Sequence, residues 1–197
     1  MPRRPNYDRE DLIARARDLF WQRGWAGTSL KDLEHALQMK PGSFYAAFGS
    51  KDALFALALE KYAGDGLGRL NALHREHGPC AALQRFPAMV IANGTAPAKA
   101  CMLSKTFLEL HAHQHPLAEK ANQHLRQMEK RFAELFAAAQ QSGEIDNTRD
   151  PKMLARRYQS DLLGLRVSAE RDADAAQTIA AEIAQSITGR QPEQSNI

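Results

Sequence analysis

Nowhere does this chain alternate apolar and polar residues as a half-buried strand must, and Val occurs only at Val90 and Val167. Apolar side chains instead recur every three or four positions, over about 80–92, 101–113, 117–141, 151–169 and 173–188. Asp150-Pro151 is a cap followed by proline at a first helical position, while Gly143 and Gly189 stand where helices should stop. The segment Ala92 to Ala100, ANGTAPAKA, reads as a loop. The expected fold is all-α.

The N-terminal part is more specific. Asp8 to Gly24 reads as an amphipathic helix with Leu12, Ile13, Ala16, Leu19 and Phe20 on one face and Asp8 as its cap. Ser29 and Asp32 form a capping-box-like start to a short second helix, with Leu30, Leu33 and Leu37 as its apolar row. Pro41 suits the first turn of a third helix, whose Phe44 and Phe48 can dock on the first two. Gly49-Ser50 ends it, and Ser50 caps a fourth helix carrying Leu54, Phe55, Ala58, Leu59 and Tyr62. Two short helices joined by a tight turn behind a longer one describe a helix-turn-helix unit. The expected organisation is a three-helix helix-turn-helix domain at 1–50, a larger helical domain at 51–190, and a flexible tail at 191–197.

Composition removes other classes. No run approaches the roughly 18 apolar residues of a membrane-spanning helix, and no apolar stretch follows the charged first ten residues as in a secretory signal. Two cysteines in 197 residues do not make a disulfide framework, so a cytoplasmic protein with no membrane partner is expected. The net charge of +3 is uneven: nine Lys and Arg face six Asp and Glu up to Lys51, and seventeen of each follow. The whole excess therefore lies where an anionic partner would be drawn.

In a helix-turn-helix the second helix of the pair enters the major groove. Here that stretch begins Lys40-Pro41-Gly42-Ser43, then Tyr45. Gly42 lets the backbone approach the duplex, Ser43 can donate to or accept from a base or phosphate, and Lys40 supplies charge. Tyr45 can donate to a phosphate, and Thr28 and Lys51 flank the site as further phosphate contacts. Spacing alone also permits a compact helical cluster whose polar face meets only water.

The run Gly24 to Ala63, with Thr28-Ser29, Gly42-Ser43-Phe44-Tyr45, Phe48, Ser50-Lys51 and Leu54-Phe55, resembles the DNA-binding domain of TetR/AcrR-type transcriptional regulators. That resemblance implies a homodimeric repressor whose C-terminal domain binds a small molecule and which leaves a near-palindromic double-stranded operator when it does. Where the family usually places Gly in the turn, this chain has Gln38, and where it places a capping Ser or Thr, Lys40. Gln38 must then accept a left-handed conformation at a cost of about 1 kcal/mol.

The remaining candidates are weaker signals. Phe86, Met89, Met102, Phe107, Leu110, Met128, Phe132 and Tyr158 could line a pocket for an apolar or aromatic effector, or simply be core. Leu154, Tyr158, Leu162, Leu165, Ile179, Ile183 and Ile187 give the last two helices apolar faces for a dimer interface, or for the protomer's own core. Gly64, Gly66 and Gly68 read as a loosened link between domains. A redox sensor using Cys101 near a helix start, with Cys80 opening the helix before, or a metal sensor using His111, His113 and His115 with His124 in reach, is the alternative on the same scaffold. An enzyme with those histidines as acid and base lacks a nucleophile–base pair and a cofactor motif, so neither catalysis, a cofactor nor a bound metal is expected.

Overall fold

A computed structural model describes residues 8–92, 94 and 96–188. Among them nine helices and no strand are found: α1 Arg9–Arg23, α2 Leu30–Leu37, α3 Pro41–Phe48, α4 Lys51–His77, α5 Pro79–Ala92, α6 Met102–His111, α7 Pro116–Gln141, α8 Pro151–Arg171 and α9 Ala173–Ser186. The expected stop at Gly189 and the tail at 191–197 lie outside the described residues. Residues group into two compact units. One holds the described chain up to Gly64 together with Met102–His124; the other holds Asp65–Cys101 and the described chain from Leu125. Packing thus joins α6 and the start of α7 to the N-terminal helices, an association made by contacts 80 residues apart in sequence.

The first unit is built on α1. Asp8 caps it, its carboxylate accepting from Glu10 N–H, and Leu12, Ile13, Ala16, Phe20 and Trp21 are buried along one face. Phe20 meets Phe55 edge-on at 4.5 Å between ring centres, and Trp21 meets Tyr62 at 4.9 Å. Burying each such side chain contributes on the order of 2–3 kcal/mol.

The second unit has its own core, in which Phe132 meets Phe86 at 5.8 Å and Tyr158 at 4.9 Å. All seven residues expected at a dimer interface, Leu154, Tyr158, Leu162, Leu165, Ile179, Ile183 and Ile187, belong to or pack against this core. Tyr158, Leu162, Leu165 and Ile183 are buried in it, whereas Leu154, Ile179 and Ile187 are only partly buried against it, and α9 lies on α5 and α8. The large apolar side chains that α8 leaves exposed are Met153 and Val167.

The expected glycine link falls where the first unit gives way to the second, between Gly64 and Asp65, but it does not interrupt the helix. Gly64, Gly66 and Gly68 lie inside the unbroken helix α4. A Cβ at Gly66 would meet Met128 Cε at 3.3 Å, whereas Gly64 and Gly68 face open space. Helical hydrogen bonds through the surrounding Tyr62, Leu67 and Leu70 turns outweigh the weaker intrinsic propensity of glycine.

Proline inside α5 exposes a dependency. Pro87 has no N–H, so the Leu83 carbonyl four residues earlier loses its helical donor. The Tyr158 hydroxyl from α8 donates to that oxygen at 2.6 Å in a buried setting. Burial pushes the Tyr158 phenol well above its ordinary value, keeping it a proton donor. Tyr158→Phe should therefore cost about 1–3 kcal/mol in denaturant unfolding, because the buried carbonyl is orphaned. Adding Pro87→Ala, which returns an N–H to that carbonyl, should recover most of the loss.

Candidate nucleic-acid interface

The α1–α2 turn decides where the two short helices point. Gly24 ends α1 with φ 77°, and a Cβ there would stand 2.8 Å from Glu109 Oε2. A Cβ on Gly27 would stand 2.4 Å from the Arg23 carbonyl oxygen, so both positions exclude side chains. From α6, Glu109 accepts from Trp25 N–H at 3.2 Å and Ala26 N–H at 2.7 Å. One turn earlier on α6, Lys105 donates to the Trp21 carbonyl at 2.8 Å. Two charges at i, i+4 thus hold the acceptor end of α1 and the donors of the turn.

α4 grips the turn from its own start. Lys51 Nζ donates to the Trp25 carbonyl at 2.9 Å and the Thr28 carbonyl at 3.1 Å, and stands 3.9 Å from the Trp25 ring centre. The Trp25 indole N–H donates to Asp52 Oδ1 at 2.8 Å. His115 places Nε2 3.4 Å from Asp52 Oδ2 and its ring 4.9 Å from Trp25, while its Nδ1 accepts from Leu117 N–H at 3.3 Å. Thr28, fully buried, donates its hydroxyl to the Gly24 carbonyl at 2.7 Å. The structure thus corrects two expected phosphate contacts: Thr28 and Lys51 spend their polar groups on the turn itself.

α2 starts with the capping box read from the sequence: Asp32 N–H donates to Ser29 Oγ at 3.2 Å and Ser29 N–H to Asp32 Oδ2 at 2.8 Å. The Ser29 hydroxyl, then its backbone N–H, then Arg23 nearby hold the Asp32 carboxyl below its usual 3.8. Gln38 ends α2 in the left-handed region, φ 54° and ψ 40°, and Met39 N–H reaches back to the Glu34 carbonyl at 3.0 Å. Lys40 precedes α3 without a side-chain cap bond, and Pro41 removes one of the donors that would have needed it. Phe44 and Phe48 are buried, and α3 therefore turns its other side outward. Lys40, Pro41 and Gly42 are exposed, Ser43 is half-buried and Tyr45 is 49% exposed. Five of the seven expected DNA contacts share this one outer surface.

Other candidates fall elsewhere. Phe86, Phe132 and Tyr158 are core of the second unit, with Met89 and Met128 packed against it. Met102 and Leu110 are buried and Phe107 half-buried in the first unit, Phe107 stacking on His111 at 4.6 Å. A cleft of about 360 Å³ does open in the second unit, lined by Ala88 and Ile91 of α5, Ala176 and Ala180 of α9, and Lys99, and by none of those eight. Cys101 is buried and precedes α6; Cys80 is buried, and desolvation followed by the charge of Glu144 raises its thiol, the reverse of activation. α6 stops at His111, so His111 and His115 do not share a helix face, and the described residues hold no group of three metal-ligating side chains.

The turn-holding roles that sequence reading missed are those of Trp25, Asp52, Lys105, Glu109 and His115, the last read only as a candidate metal ligand. The i, i+4 pair Lys105 and Glu109 was visible, but no periodicity ties α6 to a turn 80 residues earlier.

Two outcomes follow. Lys51→Ala should lower stability by about 2 kcal/mol in thermal unfolding and leave the salt dependence of DNA binding unchanged. A lost phosphate contact would instead reduce the log–log salt slope by about one. The contribution of Asp32 is complete above its unfolded value and disappears as pH falls through its lowered folded one. Ser29→Ala should therefore return the Asp32 titration, followed by NMR, toward 3.8.

Comparison with known proteins agrees with this architecture. Residues 12–58 match the family model described as bacterial regulatory proteins, tetR family, and residues 79–185 match the tetracyclin repressor-like C-terminal domain. The chain is 24% identical over 174 residues to the HTH-type transcriptional repressor DhaR of Mycobacterium sp. strain GP1, covering 83% of this chain and 85% of that one. Over 56 residues it is 41% identical to the HTH-type transcriptional repressor ComR of Escherichia coli K12, covering 28% of this chain and 27% of that one. A TetR family regulator from Cytophaga hutchinsonii superposes with a TM-score of 0.82 at 21% identity, over 94% and 96% of the two chains. The regulator CifR, as a cysteine mutant complexed with 26bp operator DNA, superposes with a TM-score of 0.79 at 27% identity, over 96% and 100%. With its capped two-helix unit at the front and a matched domain spanning most of the remainder, this chain belongs to the TetR family of bacterial regulatory proteins.

Proposed function

We propose that the protein is a transcriptional repressor that binds a near-palindromic operator as a homodimer and leaves it when a small molecule binds. The observation that carries the reading is the outer surface of α3: Lys40, Pro41, Gly42, Ser43 and Tyr45 stand together on a short helix whose inner face, Phe44 and Phe48, is locked into a core. Such a surface suits the major groove, where an α-helix fits and its leading residues meet base edges. Two-fold pairing presents two such helices to one face of DNA, which demands matching half-sites. The operator-bound relative CifR supports this use of the fold. Its place of work is then the cytoplasm, where a bacterial regulator meets its promoter.

The effector we propose is small and largely apolar. The cleft between α5 and α9 has a volume within the range of ligand sites and walls made chiefly of methyl groups, with Lys99 and two glutamines as its polar elements. Such walls suit an apolar or aromatic skeleton. Repression is relieved when the ligand binds the DNA-incompetent arrangement more tightly than the competent one, by differential affinity alone.

A gel shift on the DNA upstream of the protein's own gene tests this directly. The full-length protein should bind that duplex at least about 1000-fold more tightly than random sequence at physiological salt. Sizing at micromolar concentration should give a dimer, and Ser43→Ala with Tyr45→Phe should weaken the complex by about tenfold or more. A lone subunit, or equal affinity for every duplex, would overturn the reading.

A further inference from the structure

We infer that Ala46 reads the C5 methyl group of a thymine in each operator half-site. The inference rests on α3 entering the major groove, and it concerns which chemistry does the reading there.

At 3.6 residues per turn, Gly42 and Ala46 lie opposite the buried Phe44 and Phe48, at the centre of the outward face of α3. These are the two smallest side chains available. Gly42 has a negative φ, and among the described residues nothing beyond its neighbours and its own helix backbone comes within 4 Å of where its Cβ would stand. Neither backbone conformation nor internal packing therefore requires a glycine at that position, unlike Gly24 and Gly27. What remains is approach from outside: a bare patch two residues wide lets the helix backbone sink toward the floor of a groove. Ala46 is exposed there, with its methyl group pointing away from the core.

The same helix is poor in hydrogen-bonding chemistry. From Pro41 to Phe48 there is no Arg, Asn, Gln, Asp or Glu, the side chains that pair bidentately with guanine or adenine or accept from cytosine. Ser43 and Tyr45 offer hydroxyls, and Lys40 just ahead offers a charge. Hydroxyls discriminate weakly between bases, so an apolar contact carries the distinction at the centre of the face. Thymine is the base that presents a methyl group in the major groove, and an alanine methyl is its natural partner.

The test uses the full-length protein and a duplex selected by it from a random 30-base-pair library. Each thymine is replaced in turn by uracil, which removes the methyl group and leaves the pairing edge intact. One thymine in each half-site should show about fourfold weaker binding as uracil, and the double replacement about fifteenfold. Ala46→Gly should bind thymine and uracil duplexes equally at that position, whereas Ala47→Gly, off the outward centre, should keep the fourfold ratio. The ratio is unaffected by any general loss of stability in either variant. Specific binding with no uracil effect at any thymine, or an Ala46→Gly protein that retains the ratio, overturns the inference while leaving DNA recognition by α3 intact. Failure to select any duplex removes the underlying reading together with it.

Discussion

The positioning of α3 depends on charged side chains neutralising a bare stretch of backbone. Between α1 and α2 the chain turns over six residues, leaving N–H and carbonyl groups that no helix can satisfy. Lys51, Lys105 and Glu109 satisfy them, with the Trp25 side chain pinned in turn by Asp52 and Lys51. Hydrogen bonds to charged partners are worth more than neutral ones, and the half-buried setting limits competition from water. A helix eight residues long has too few internal bonds to hold its own orientation, so α2 and α3 inherit theirs from this turn.

This arrangement alters the meaning of the N-terminal charge excess. Several of the cations behind it are engaged inside the fold: Arg15 with Asp11 and the Ala36 carbonyl, Arg23 with Asp32, Lys51 with two carbonyls. Local net charge is thus a poor guide to the number of phosphate contacts. The outward face of α3 is instead small, methyl-bearing and hydroxyl-bearing, which suits close shape fitting more than electrostatic capture.

In the second unit a comparable dependency links Pro87 and Tyr158. A proline inside α5 would leave a buried carbonyl without a donor, and a tyrosine from α8 supplies one. Tyr158 could be read from sequence as a ligand or interface residue because an aromatic at helical spacing looks the same in any of these roles. Its role follows from a vacancy 75 residues away.

What the amino-acid order alone determined was everything governed by neighbours within a few residues. The helices of the described residues, the Asp8, Ser29 and Asp150 caps and the uncapped Lys40 all follow from backbone donors, carbonyls and side-chain shape at short range, while the left-handed Gln38 followed from the family pattern. The family's N-terminal pattern was legible for the same reason, since its residues lie in one continuous run. Tertiary structure alone decided which side of each helix found a partner. Leu162 and Ile183 turned to their own core, Thr28 and Lys51 turned to the turn, and α6 joined the N-terminal helices. Periodicity defines an apolar or polar face but carries no address, and the partner that occupies the face is chosen by packing between segments far apart in the chain.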